Sequence, residues 1–523
     1  ASSPDPVEFS AFLGDSLDSL PLGLELTPGI PLALAVVGSL AVLFGGKIIT
    51  EDEPTIAIDP RTQHGVARFA TVEERAQYAH TKATPAWPKP DWCEELSDDN
   101  IIVSQHSRVG FSSNPDRSRR LANKHVFLQA GSGAGKTYNW LRSNVLQLNA
   151  SMVFTDMKGE NFRNYGKFLA RHGYRVLVFN VRGEDAMVAS VKFNPLHYVH
   201  NMTDLAGVID LFIKNTTDPD SRSGDDYFVK AERQLYSALL GYLFFFYKET
   251  GHEEECTIPK MLTYLALSRD EGQGVTKLDL LFNGTIEKEG FYGYRERLCD
   301  KYGGLAKAML APEWSVITSY DGFKSTAGSP ETMASVVSSC FVRLEPFSYA
   351  AVRNLFSADE LGLERFGREK TALFIITPDQ GSPYYFAVCM LLYQLFAINI
   401  DIADDPTDGL DHLPIPINCY LDELANVGVI PNLDKLFATT RSRWINLVAI
   451  VQDASQLEAV YGKKAKAIRA NCSTFVYLGA SSFESCKEIS EEMGKTTREV
   501  FEWSQSYSQT GSSSTRSVRY VPD

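Results

Sequence analysis

The residues with the clearest chemistry are AGSGAGKT, Ala130 to Thr137, which follow the apolar run His125 to Gln129 and precede a stretch of helical period. Strand, glycine-rich loop and helix in that order make a phosphate cradle. The segment Gly131, Ser132, Gly133, Ala134, Gly135 can curl so that successive N–H groups, with the helix N-terminus, point at phosphate oxygens. Lys136 then reaches the β- and γ-phosphates of a nucleotide, and the Thr137 hydroxyl binds Mg²⁺. Ala130 stands where the pattern has its first glycine, a small departure because Gly131 and Gly133 keep the loop supple. A glycine-rich turn ending in Gly-Lys-Thr by chance is the plain alternative, and the strand and helix around it speak against that.

Hydrolysis needs a second, acidic site, and INCYLDE, Ile417 to Glu423, supplies an apolar strand ending in two carboxylates. Asp422 is placed to hold Mg²⁺ through water and Glu423 to polarise the attacking water. The bland reading is an acidic helix start, since acids favour helix N-termini. The run Asn446 to Gln452 ends in one polar residue, and Gln452 can sense the γ-phosphate or orient water; a polar strand end is the alternative. Arg441 and Arg443, in ATTRSRW, are candidates to reach a neighbouring subunit's nucleotide and stabilise transition-state charge, or else form a solvated surface pair. Lys463, Lys466 and Arg469 share one helix face that could follow a phosphate backbone, although a solvated face is the commoner use of such a pattern.

The elements that position these residues are short apolar runs alternating with helical segments: His125 to Gln129, Met152 to Asp156, Arg175 to Phe179, Ala372 to Thr377, Ile417 to Asp422, Asn446 to Gln452 and Thr474 to Leu478. The alternation predicts an α/β fold, a mostly parallel sheet with helices on both faces. It breaks between 197 and 340, where segments of helical period such as Phe228 to Lys248 predict an inserted all-α domain. The expected organisation is 1–47, an extracytoplasmic stretch and membrane helix; 48–120, linker and start of the sheet domain; 121–196, sheet domain with the phosphate loop; 197–340, helical insertion; 341–503, sheet domain continued; and 504–523, a Ser- and Gly-rich flexible tail.

With 523 residues, 44% hydrophobic and 22% charged, the chain has the composition of a multidomain globular protein, which excludes a disordered chain and a small disulfide scaffold. A net charge of -14 argues against wrapping nucleic acid by bulk charge, so any such contact is local. The eight cysteines are scattered singly, without CxxC or zinc spacing, and read as reduced core residues. No HExxH or GxSxG occurs, so neither a metalloprotease nor a serine hydrolase is supported. Ile30 to Gly46 carries no charge and is about long enough to span a bilayer. No Lys or Arg precedes it and Lys47, Arg61, Arg68 and Arg75 follow, which predicts a cytoplasmic bulk behind one span of the cell membrane.

The chain resembles the TraG-like type IV secretion coupling proteins, the membrane-anchored ATPases of bacterial conjugation, in the style of Gram-positive elements. The resemblance covers about residues 65 to 505 and rests on AGSGAGKT, LDE, ARFAT (Ala67 to Thr71), TDMKGE (Thr155 to Glu160), SVKFNPL (Ser190 to Leu196), GDDYFVKAERQLYSALLGY (Gly224 to Tyr242), MASVVSSCFVRLEPF (Met333 to Phe347), the long block Leu421 to Gly462, and NCSTFVYLG (Asn471 to Gly479). It implies a RecA/FtsK-like P-loop motor with an inserted all-α domain, binding ATP and Mg²⁺ and working as a homohexamer at the membrane. Its partners are expected to be single-stranded DNA, a relaxase and the channel proteins. Matched by position, Lys136, Thr137, Asp422, Glu423 and Gln452 inherit nucleotide roles, and Arg441 and Arg443 the inter-subunit finger. The family usually has two spans and a further C-terminal strand and tail, so longer ends are expected. Two other functions stay open: an FtsK-like double-stranded DNA pump, and a nucleotide-gated docking receptor that hydrolyses little.

Overall fold

The seven apolar runs form one sheet. In the computed structural model, which describes residues 67–76, 100–110, 123–216, 226–269, 275–284, 292–378, 384–405, 407, 410, 412–479, 482–508 and 511–522, they are β3 (Val126–Gln129), β4 (Ser151–Met157), β5 (Arg175–Asn180), β6 (Thr371–Thr377), β7 (Ile417–Leu421), β8 (Ile445–Val451) and β9 (Thr474–Tyr477). The order is β5-β6-β4-β7-β8-β3-β9 and every pairing is parallel. Strands buried on both faces need apolar residues at every position, which is why β3, β6 and β8 read as unbroken runs. Alternate side chains serve opposite cores: Val153, Leu373, Cys419 and Leu447 on one face, Phe154, Phe374, Tyr420 and Val448 on the other. Phe154 is in register with both Phe374 and Tyr420, and its ring stacks on theirs at 4.7 and 5.2 Å. Such pairs are worth about 0.5–1.5 kcal/mol each beyond their burial and pin the register of the central strands.

No strand interrupts the described residues between Asn180 and Thr371. Helices Met202–Thr216, Asp226–Thr250, Trp314–Ala327 and Pro330–Arg343 dominate there. Ser329 caps the last of these through Thr332 N at 3.2 Å, with Pro330 in the first turn where its missing N–H costs nothing. Buried Glu232 holds Arg343 at 2.7 Å and accepts from Ser339, tying the 25-residue helix to its neighbour. The cysteines Cys256, Cys340, Cys389 and Cys419 are buried and unbridged.

The expected membrane helix, 30–46, and most of the 48–120 segment lie outside the described residues. Among the described residues one helix, Tyr385–Asp404, is long and apolar enough to cross a membrane, and it is two-thirds buried in protein. Its polar side chains find protein partners: Gln394 donates to Pro195 O at 2.7 Å, and Asn399 donates to Leu363 O at 3.0 Å while accepting from Gly367 N at 3.1 Å. Those bonds make it a core helix of the sheet domain. Within 48–120, β1 (Asn100–Ser104) and β2 (Ser107–Gly110) form a hairpin that Asn144 clamps by two bonds to Ile102, at 2.9 and 3.0 Å.

The chain divides into two units, Phe69–Ser490 and a smaller one built from Glu491–Asp523 and residues up to Arg68. In the smaller unit, β10 (Thr497–Ser508) and β11 (Gly511–Pro522) pair antiparallel over their full lengths, Thr497 opposite Pro522 and Ser508 opposite Gly511. The segment 504–523, expected as a flexible tail, is therefore mostly ladder. Backbone pairing asks only for an extended partner in register, and that satisfies the N–H and C=O groups of a serine-rich strand.

Candidate active site

The strands deliver their polar residues to one edge, the carboxyl ends. After β3, Ala130 N bonds Val451 O at 3.0 Å and Gly131 N bonds Gly479 O at 2.9 Å, so the loop is hung between the ends of β8 and β9. Gly133 and Gly135 take φ of 77° and 79°, which only glycine adopts without strain. Ala130 is not among the residues at positive φ, which explains why alanine serves there. Lys136–Leu141 continues as a helical segment with wide i→i+5 turns, anchored by buried Trp140 and Leu141.

Beyond β7 come Asp422 and Glu423. Lys136 Nζ lies 2.9 Å from Asp422 Oδ1 and 3.3 Å from Glu423 Oε1. Gln452, at the end of β8, the strand between β3 and β7, donates to the same Glu423 Oε1 at 3.1 Å. Thr155 Oγ1 donates to Asp422 O at 2.8 Å, locking the acidic turn to β4. Glu423 itself sits at φ 51°, ψ 48°, a left-handed conformation costing a non-glycine residue about 1–2 kcal/mol. Strain of that kind persists where neighbours over-determine it and concentrates at functional sites. Burial alone would lower the Lys136 ammonium, but Asp422 and Glu423 beside it more than reverse this and raise its pKa. Asp422 is raised as well, by its burial and to a lesser degree by Glu423, with Lys136 opposing.

Lys136, Asp422 and Glu423 line a cavity of about 140 Å³, to which Thr137, Asp156 and Lys158 also contribute. A hydroxyl from Thr137 and a carboxylate from Asp422 in one cavity are hard oxygen donors of the kind Mg²⁺ takes alongside substrate phosphates and water. Among the described residues no group of three or more His, Cys, Asp or Glu makes a metal cage. Asp156, fully buried at the end of β4, accepts from Asn161 N at 2.9 Å and Phe162 N at 2.8 Å. Its pKa is pushed up to about 6, by burial first and by Asp422 further, against the pull of those two N–H groups.

Of the residues expected from sequence, Lys136, Thr137, Asp422, Glu423 and Gln452 converge here with the loop Gly131–Gly135. Arg441 and Arg443 do not. They precede β8 and so stand at the opposite edge of the sheet from Gln452, where Arg443 grips Asp404 through two bonds of 2.7 Å and donates to Thr439 O. On the basic face Arg469 is engaged, pairing with Glu488 at 2.7 Å and lying over Phe475; Lys463 and Lys466 are exposed, Lys466 3.9 Å from Glu458. Residue types and spacing alone give Asp156 and Lys158 no role; the strand running into TDMKGE is legible in the sequence, but its place beside β7 comes from the sheet order.

The sequence model of the family described as type IV secretory system conjugative DNA transfer matches residues 94–522. The chain belongs to this family. No curated protein matches the chain. Among solved structures it is similar to the bacterial conjugative coupling protein TrwBdeltaN70 in its unbound monoclinic form, with 15% identity, 86% of each chain covered and a TM-score of 0.51. The trigonal form of that protein in complex with sulphate gives 16% identity, the same coverage and a TM-score of 0.50. The plasmid coupling protein TrwB in complex with ADP and Mg²⁺ gives 16% identity, 72% and 75% coverage and a TM-score of 0.46. At these identities the likeness is one of fold: an α/β architecture with a parallel sheet and a helical region.

Proposed function

We propose that the chain is a P-loop ATPase that couples DNA, or a relaxase–DNA nucleoprotein, to a type IV secretion channel and drives its translocation by hydrolysing ATP. One observation carries the reading. Lys136, presented by the phosphate loop, is held between Asp422 and Glu423, and Gln452 from the intervening strand fixes Glu423. The site thus pairs a phosphate-binding cation with a carboxylate already oriented as a base.

A triphosphate seated on the Gly131–Gly135 loop competes for the Lys136 ammonium, which exchanges carboxylate for phosphate oxygens. Glu423 Oε1, relieved of that ion pair and still held by Gln452, accepts a proton from water attacking the γ-phosphorus as the β–γ phosphoanhydride bond breaks and ADP leaves. Mg²⁺, held by Thr137 and through water by Asp422, would neutralise charge on the phosphate oxygens. Arg441 and Arg443, remote from their own chain's loop, could serve only a neighbouring subunit, as a homohexameric ring provides. Such a ring would be tethered to the cell membrane by residues 30–46, with the helices of 197–340 as its inserted all-α domain and the channel proteins as its partners.

The test is steady-state ATP hydrolysis by the chain beside Glu423→Gln, with and without single-stranded and double-stranded DNA and across protein concentration. Expected is turnover that rises with single-stranded DNA and with concentration, and falls at least about a hundredfold in the variant while ATP binding persists. Stimulation by duplex alone would point to a double-stranded DNA pump. Tight binding with no turnover in the parent would point to a docking receptor.

A further inference from the structure

The block TDMKGE brings β4 to the same cavity without a role in the site as built above. We propose that Lys158 is the second cation of the nucleotide site, contacting the terminal phosphate from the β4 side and so distinguishing a nucleoside triphosphate from a diphosphate. The inference rests on the reading of this cavity as a triphosphate site.

Position is the first argument. β4 lies beside β7, Thr155 opposite Leu421, so the turn beyond Met157 stands next to Asp422 and Glu423. The phosphate loop follows β3, on the far side of β8 and β7 from β4. A phosphate chain seated on that loop, with its terminal group toward the acidic pair, therefore meets the β4 turn at its terminal end. Lys158 lines the cavity there with Lys136, Asp422 and Glu423.

Backbone conformation is the second. Lys158 has φ 65° and Gly159 φ 72°. Glycine would take the first of these without strain, yet an exposed lysine holds it. The turn is fixed from several sides: Lys158 N donates to Thr377 O at 3.3 Å, Arg163 Nη1 donates to Lys158 O at 2.8 Å, and the buried Asp156 carboxylate gathers Asn161 N and Phe162 N. An unfavourable conformation so heavily braced fixes the direction in which Lys158 Cβ leaves the turn.

Charge is the third. Asp156, Glu160, Asp422 and Glu423 border the cavity, and the Lys136 ammonium already serves two of them. A polyphosphate entering this ring of carboxylates adds more negative charge at the end farthest from the phosphate loop, where a second ammonium offsets the repulsion.

The experiment compares the parent with Lys158→Gly, Lys158→Met, Lys158→Arg and Lys136→Ala. Binding of fluorescent ADP and of a fluorescent non-hydrolysable ATP analogue, both with Mg²⁺, is measured beside the thermal midpoint of nucleotide-free protein. Expected is a triphosphate preference in the parent that falls about tenfold or more in Lys158→Gly and Lys158→Met and is largely kept in Lys158→Arg. Lys158→Gly should at the same time raise the thermal midpoint, because it relieves the backbone, so lost discrimination cannot be ascribed to lost structure. Should Lys136→Ala bind both nucleotides like the parent, the site reading itself fails. Should Lys136→Ala lose binding while the parent shows no triphosphate preference, or while Lys158→Gly and Lys158→Met keep it, Lys158 is a surface lysine and the proposal is overturned.

Discussion

Lys136→Met should destabilise the nucleotide-free protein in a way that depends on pH. The side chains of Lys136, Asp422 and Glu423 are 18%, 14% and 22% exposed. Breaking a fully buried pair costs about 3–5 kcal/mol and a surface pair under about 1 kcal/mol, so this partly screened triad is worth about 2 kcal/mol. At about 2.1 cal/mol/K of unfolding entropy per residue, a unit of about 420 residues converts that into a drop of about 2 °C in midpoint at pH 8. Asp422 already has its pKa raised by burial, and losing the ammonium that opposes burial raises it further. The folded variant then binds more protons than the unfolded chain between the ordinary carboxylate pKa and the raised one, so its stability falls as pH rises through that window. A proton can thus stand in for the ammonium: the deficit should be full at pH 8 and shrink toward pH 5. Lys136→Met with Asp422→Asn should recover part of the loss, because the uncompensated charge is gone. The assay is a thermal melt of all three proteins at both pH values. A variant as stable as the parent at pH 8, or a deficit equal at both, refutes the argument that the triad holds the acidic turn.

Two further outcomes follow from the same geometry. Gln452→Ala removes the donor that orients Glu423 and touches nothing in the phosphate loop's own bonding, so turnover should fall about tenfold with ATP affinity within about twofold; unchanged turnover would separate Gln452 from catalysis. His125 is fully buried, accepts Leu447 N at 3.1 Å through Nδ1, and is pushed down to about 4 by burial first and by Lys124 and Arg441 after it. The unfolded chain therefore takes the proton first, and stability should fall between pH 6.5 and pH 4 by up to about 3 kcal/mol. Urea midpoints across that range should slope in the parent and lie flatter in His125→Phe, and a flat parent curve would contradict the assignment.

The sheet was readable because its strands are buried on both faces: seven apolar runs bounded by polar residues have few other uses, and each observed strand agrees with its run to within a residue or two. The site was readable where a parallel sheet's carboxyl edge collects the residues that follow its strands, Ala130, Asp422 and Gln452. What eluded the sequence depends on things no local pattern encodes. Asp156 looks like one more strand-end polar residue until the order β4-β7 sets it beside Asp422. Arg441 and Arg443 lie near Gln452 in the chain, but a strand's length separates them from it in space. The pairing of β10 with β11 is a matter of register between two polar strands, and a composition-based reading weighs only what they bury.

The 2.9 Å contact between Lys136 and Asp422 also settles a question of topography. The most apolar described helix, Tyr385–Asp404, falls between these two residues in sequence. Were it counted as a crossing, hydropathy would thread the polypeptide through the bilayer once between them and strand the ammonium and its carboxylate in different compartments. An ion pair cannot straddle a hydrocarbon slab about 30 Å thick. Lys136 and Asp422 therefore share one compartment, and reporter fusions placed just before Ala130 and just after Gln452 should report the same side.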